Sequence, residues 1–131
     1  MNKHTILAVL IVMGIGSNLW AQECQDGREL LDWSREYMRA ETANAQLQQG
    51  DAVQSIESFG KINMLSVGLY RGFMAGLLAW EMHDGRVHPQ PSMQTLEDLY
   101  TAAAKWLERH PEELDKSGIQ AAVDALDAVA P

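Results

Sequence analysis

The sequence predicts an all-α fold, a small helical bundle of four to five helices behind an N-terminal signal peptide. Three observations carry that expectation. Apolar residues beyond Cys24 recur every three to four positions, the spacing that gathers them on one face of a helix. No Val/Ile/Thr-rich run alternates with polar residues, so strands are hard to place anywhere. Breaker segments at Gln48-Gln49-Gly50, Asp84-Gly85 and His110-Pro111 divide the periodic stretches into separate helices. With 131 residues there is room for one compact domain and not for two. An apolar content of 47% excludes intrinsic disorder. A formal charge of −8 disfavours nucleic acid, whose phosphates demand clustered Lys and Arg.

Residues 1–21 read as an export signal. Lys3 supplies a basic start, Ile6 to Met13 an apolar run, and Gly14 to Ala21 a polar, small-residue exit. The run is too short for a transmembrane helix, which needs ~20 apolar residues. Cleavage after Ala21 is expected, leaving 22–131 in the periplasm with no membrane attachment. Gln22 and Glu23 separate the cut from Cys24, which argues against a lipid-modified cysteine. A single cysteine forms no intrachain bridge, so Cys24 reads as a tolerated terminal thiol, free or paired with another chain.

Each element follows in order. Asp26 is placed to cap a first helix running to about Leu47, with Leu30, Trp33 or Ser34, Tyr37 and Met38 inward and Arg28, Asp32, Arg35, Glu36 and Arg39 in solvent. A short helix is expected between Asp51 and Gly60 through Val53, Ile56 and Phe59. The most apolar stretch, about Lys61 to His83, reads as the central helix. Its Gly68, Gly72 and Gly76 lie four apart, and each glycine costs a helix roughly 1 kcal/mol relative to Ala. Such a stripe predicts another backbone packed closely against it. Arg86 to Pro91 forms a proline-stiffened loop. Ser92 or Thr95 then caps a helix carrying Leu96, Leu99, Tyr100, Ala103, Trp106 and Leu107, stopped at Pro111. Ser117 and Gln120 match a capping box for a last helix bearing Ile119, Ala122, Val123, Leu126 and Val129. Trp33, Trp80 and Trp106 are expected in the core.

Catalytic chemistry finds little support. Glu81, His83, Asp84 and His88, with His110 further on, form the densest set of ligand types, but Glu81, His83 and Asp84 do not share the i, i+4 face that helical metal ligands need. No Gly-x-Ser-x-Gly elbow or Gly-rich phosphate loop is present. Glu112, Glu113 and Asp115 read as one exposed turn. No catalytic, cofactor or metal residue is therefore assigned, and the protein reads as a non-enzyme. The stiff segment from His83 to Pro91 is the candidate partner-binding surface, through His83, Asp84, Arg86, His88 and Gln90, because a stiff loop loses little conformational entropy on binding.

Tyr70-Arg-Gly72-Phe73-Met-Ala-Gly76, the proline loop, Ala104-Lys-Trp106-Leu107-Glu-Arg-His110-Pro111 and the Ala-Leu-rich stretch from Ala121 to Pro131 follow one another in an order that resembles the Rap/Tai family of type VI secretion immunity proteins. The resemblance covers roughly residues 62–131. It implies an all-helical periplasmic inhibitor, often a homodimer, that occludes a protein toxin, characteristically a peptidoglycan amidase. Family members usually carry one cysteine two residues before the first glycine and another near the proline loop. This chain has Tyr70 and Val87-His88-Pro89 there, so the customary disulfide is missing.

The expected function is thus steric inhibition of a cell-wall-degrading effector, with the acidic surface speeding encounter with a basic toxin. Two alternatives stand beside it. A periplasmic structural or chaperone-like helical protein would bind many unfolded chains and have no dedicated toxin. A hydrolase built on His83, Asp84 and His88 would purify with stoichiometric metal.

Overall fold

A computed structural model of the chain describes residues 24–85 and 93–130. The expected signal segment, the proline loop and the proposed cap at Ser92 lie outside what can be described, while Thr95, the alternative cap, falls inside the helix Met93–Glu108 and so does not start it. Five helices follow in order: α1 (Gly27–Gln48), α2 (Ala52–Phe59), α3 (Met64–His83), α4 (Met93–Glu108) and α5 (Gly118–Val129). A 3-10 turn at Pro111–Glu113 links the last two, and no strand occurs among the described residues. The all-α bundle is as the sequence predicts.

Helix α1 is the axis of the bundle and meets each of the other four helices. Asp26 starts it, its Oδ1 accepting the Glu29 N–H at 3.0 Å and so satisfying one of the free donors of the first turn. Leu30, Trp33, Ser34, Tyr37, Ala40 and Ala43 form its buried stripe. Asp51, Asn63 and Ser117 cap α2, α3 and α5 in the same way. α3 starts at Met64, three residues later than its apolar run suggests, because Asn63 supplies the cap. At α5 only half of the expected box forms: Ser117 accepts the Gln120 N–H at 3.1 Å, while the Gln120 side chain turns to Asp124 at 2.8 Å.

Three tyrosines hold the centre. Tyr37 of α1 and Tyr70 of α3 are fully buried with ring centroids 5.0 Å apart, and Tyr100 of α4 meets Tyr37 edge-on at 6.5 Å. Offset and edge-to-face contacts of this kind add about 0.5–1.5 kcal/mol beyond the area they bury. Tyr70 donates its hydroxyl to the Tyr100 carbonyl at 2.6 Å, and Tyr37 donates to a Glu97 carboxylate oxygen at 2.6 Å. Burial without a water shell is the leading reason that all three phenols are raised above their ordinary ionisation range.

The two ends of the domain are sewn together. Gly27 donates its N–H to the Lys116 carbonyl at 2.9 Å, and Gly118 donates to the Gln25 carbonyl at 3.4 Å. The approach is close enough to require glycine at both positions. A Cβ on Gly27 would lie 2.1 Å from the Glu113 carbonyl oxygen, and one on Gly118 would lie 2.2 Å from Cys24 Sγ and 2.7 Å from its carbonyl oxygen. Cys24 is consequently a core residue, 6% exposed, and not the loose terminal thiol expected; burial and the nearby Glu29 and Asp26 push its thiol up to about 12. Glu113, expected in an exposed turn, is buried and paired with Lys116 at 2.8 Å, which also reaches Asp124 at 2.9 Å.

Other expectations are reversed. In α2 the buried residue is Ser55, whose hydroxyl donates to the Ala43 carbonyl at 2.8 Å, so Val53 and Ile56 point outward, each 72% exposed. Ile119 likewise faces solvent. Trp33 is core and Trp106 is half-buried, stacked on His110 at 3.9 Å, but Trp80 is 48% exposed. At Gly68 and Gly76 the glycine stripe of α3 meets no second backbone among the described residues: nothing lies within 4 Å of a Cβ built at either. α3 packs into the core through the opposite face, Val67, Tyr70, Met74, Leu78 and Glu81, flanked by half-buried Leu69, Phe73 and Leu77.

Two outcomes follow from these contacts. Gly118→Ala should destabilise the fold by ~1–3 kcal/mol, because the methyl overlaps backbone that cannot move freely, whereas Gly68→Ala and Gly76→Ala should each stabilise it by up to ~1 kcal/mol; urea denaturation of dilute protein reads the opposite signs. The stability drawn from neutral buried phenols is complete below about pH 10, the ordinary phenol value, and is lost as pH rises through the higher native values. Spectrophotometric titration should therefore show less tyrosinate at pH ~10 in the native chain than in the unfolded one, the remainder appearing together with alkaline unfolding.

Candidate functional site

The candidate surface begins where α3 ends. Asp84 donates its N–H to the Trp80 carbonyl at 3.0 Å and Gly85 donates to Met82 at 3.2 Å, closing the last turn. Gly85 has φ +75°, a left-handed conformation that turns the chain away from the helix and favours glycine. His83 and Asp84 are left side by side and exposed, with His83 Nδ1 3.7 Å from Asp84 Oδ1. Arg86, His88 and Gln90, the other three predicted contact residues, lie outside the described residues. Glu81 is fully buried on the opposite side of α3, so it does not converge with His83 and Asp84. Among the described residues no group of three or more His, Cys, Asp or Glu is arranged to hold a metal ion.

The far stem of the loop is anchored through one carboxylate. Glu97, in the second turn of α4, accepts the Tyr37 hydroxyl from α1 on one oxygen and the Arg71 guanidinium from α3 on the other. Three helices are thereby tied where α4 begins. Glu41 faces the same cluster, and partial burial, with the Glu97 charge beside it, raises its carboxyl above the usual range while Arg71 opposes the shift. Sequence reading missed this anchor. Glu97 and Tyr37 are 60 residues apart, and no local pattern links them.

Two clefts that share Arg39 lie along the outer side of α1. One, of about 300 Å³, is lined by Arg35, Met38, Arg39, Ala104, Lys105 and Glu108; the other, of about 470 Å³, by Arg39, Thr42, Ser58, Lys61 and Ile62. Arg35 grips Glu108 with two nitrogens, at 2.6 and 3.1 Å, holding that carboxyl below its usual range, and Arg39 pairs with Glu36 at 2.5 Å. Lys61 and Lys105 make no ion pair among the described residues. The clefts thus gather four basic side chains on an acidic chain, two of them, Arg35 and Arg39, already paired with Glu108 and Glu36. The sequence places Arg35 and Arg39 in solvent, and nothing in their spacing marks a cleft.

No single described helix is long and apolar enough to cross a membrane; α2 and α3 together are, but they are bent by 84° at their junction. Exposed apolar residues concentrate on these two helices, at Val53, Ile56, Met64, Leu65 and Trp80.

Glu97→Gln should lower the Glu41 pKa toward its ordinary value by removing the neighbouring negative charge and releasing Arg71. Carboxyl-carbon NMR titration measures that shift, and a loss of about 1 kcal/mol should accompany the weakened hydrogen bonds. In comparisons with known proteins, no family model, no curated protein and no solved structure matches this chain.

Proposed function

We propose that this chain is a periplasmic immunity protein that binds a type VI secretion effector, a peptidoglycan amidase, and covers its active-site cleft. The observation that carries the reading is the order of motifs over residues 62–131, which resembles the Rap/Tai family. The Gly-aromatic segment lies in α3, the His-Pro stop follows α4, and the Ala-Leu segment is α5. His110 seals that stop, its ring stacked on Trp106 and its Nδ1 2.6 Å from the Trp106 carbonyl oxygen.

Inhibition of this kind needs no reacting group, only a rigid surface that survives docking. Capped helices, the tyrosine centre and the Glu97 anchor supply rigidity on both sides of the loop. His83 and Asp84 stand at one stem, and the segment from Arg86 to Gln90 is the part assigned to enter the toxin. A formal charge of −8 favours fast encounter with a basic enzyme.

The test is co-expression. Directing the product of the neighbouring open reading frame to the periplasm should lyse cells, and this chain should rescue them. Replacing Arg86 to Gln90 with a Gly/Ser linker should reduce the rescue. Lysis that proceeds unchanged in the presence of the intact chain overturns the reading; full rescue by the linker variant overturns the role of the loop alone.

A further inference from the structure

Positive charge that the fold does not use for itself collects beside α1. Arg28, Arg71 and Lys116 are each held by a carboxylate of this chain, and Arg35 is gripped through two nitrogens by Glu108. Lys105, Arg39 and Lys61 differ. The two lysines are exposed and make no ion pair among the described residues, and Arg39 gives a single nitrogen to Glu36. Glu36 is itself occupied, its other oxygen accepting the Asn63 N–H at 3.1 Å. The carboxylates that face these two arginines are thus engaged already, while both lysines and the rest of the Arg39 guanidinium stay open.

Arg39 belongs to both clefts, with Lys105 in one and Lys61 in the other. Half-buried Met38 and Ile62 put hydrocarbon beside the charge. We propose that the two clefts form one docking groove for an extended acidic segment of a partner protein, carrying two carboxylates two residues apart among aliphatic residues. From Arg35 to Thr42 the groove runs roughly 10 Å along α1 at 1.5 Å per residue, the reach of about three extended residues at ~3.3 Å each. Alternate side chains of an extended segment point the same way, roughly 6.7 Å apart. One carboxylate therefore meets Lys105 and Arg39, and the next meets Arg39 and Lys61.

Charge and shape select this occupant. A basic surface, which the overall charge of −8 attracts, is repelled at this strip. A phosphate ion would leave Met38 and Ile62 without a partner, and a bilayer offers a plane of headgroups where these cations are divided between two recesses. Carboxylates met by Arg and Lys form charge-assisted hydrogen bonds, the stronger kind. Exposed ion pairs nevertheless contribute little each, so the docking is weak and reversible. The groove uses neither His83 nor Asp84, and it does not rest on the immunity reading.

Amide NMR of the naturally processed protein tests the groove, with a blocked pentapeptide bearing Glu at its second and fourth positions and Leu at the others. The peptide should move the resonances of Met38, Arg39, Thr42, Lys61 and Lys105 together. Lys61→Glu and Lys105→Glu should each weaken binding about tenfold, whereas Arg109→Glu, the same charge change at an exposed position outside both clefts, should alter it by less than about twofold. Circular-dichroism melts should be unchanged in all three variants, whose altered side chains are exposed. Resonances that stay in place at millimolar peptide overturn the inference, as does equal binding of a peptide with Gln for Glu or an equal loss in the Arg109 variant. Inorganic phosphate that reproduces the shifts at matched concentration overturns it in favour of a simple ion site. Sedimentation with phosphatidylglycerol vesicles that depends on Lys61 and Lys105 overturns it in favour of a membrane contact. None of these readouts involves lysis or its rescue, so they stand or fall separately from the immunity function.

Discussion

Everything in this domain is arranged around the phenol of Tyr37. Its ring lies between those of Tyr70 and Tyr100, and its hydroxyl leaves the core toward Glu97 on α4. A buried hydroxyl without a partner costs about 1–3 kcal/mol. The ring must therefore be packed and its oxygen answered at the same time. Meeting both conditions fixes how α1, α3 and α4 sit together. That arrangement sets the direction in which α3 ends at His83 and α4 departs after the loop, so core packing and the candidate binding surface are one geometric problem.

Much of the fold was legible in the sequence because its helices declare their ends. Asp26, Asn63 and Ser117 are capping residues placed just before periodic stretches, and the boundaries of α1 and α5 follow from them. Orientation was legible only where polar and apolar faces differ. α1 separates Tyr37 from Arg35 and Arg39 clearly. α3 has apolar residues on both faces, so periodicity cannot say which side is inward, and Trp80 and the glycines were placed with the core by default. α2 was misread for a different reason: Ser55 is buried by a hydrogen bond to Ala43, an energetic fact about two separated segments that no local hydropathy pattern carries.

The site was less legible than the fold. His83 and Asp84 stand exposed at a helix end, as their polarity suggests, whereas Glu81, two residues away, is inside. The cation-lined clefts were invisible because they are assembled from α1, α4 and the stretch between α2 and α3. A formal charge of −8 averages over them. The molecule presents three chemically different faces: an acidic exterior, a strip of Arg35, Arg39, Lys61 and Lys105, and an uncharged helix side. A protein with such a division can meet different neighbours through different mechanisms without their competing for one surface.

The closure between residues 24–27 and 113–118 has a temporal consequence. A polypeptide that emerges from a ribosome or threads through a pore amino end first presents α1 early, yet the groups that answer its first backbone amides arrive almost last. Until then the thiol of Cys24 has no wall against which to be shielded. Native topology is therefore completed near the end of delivery rather than piecemeal, and the partly delivered chain stays slack enough to keep moving.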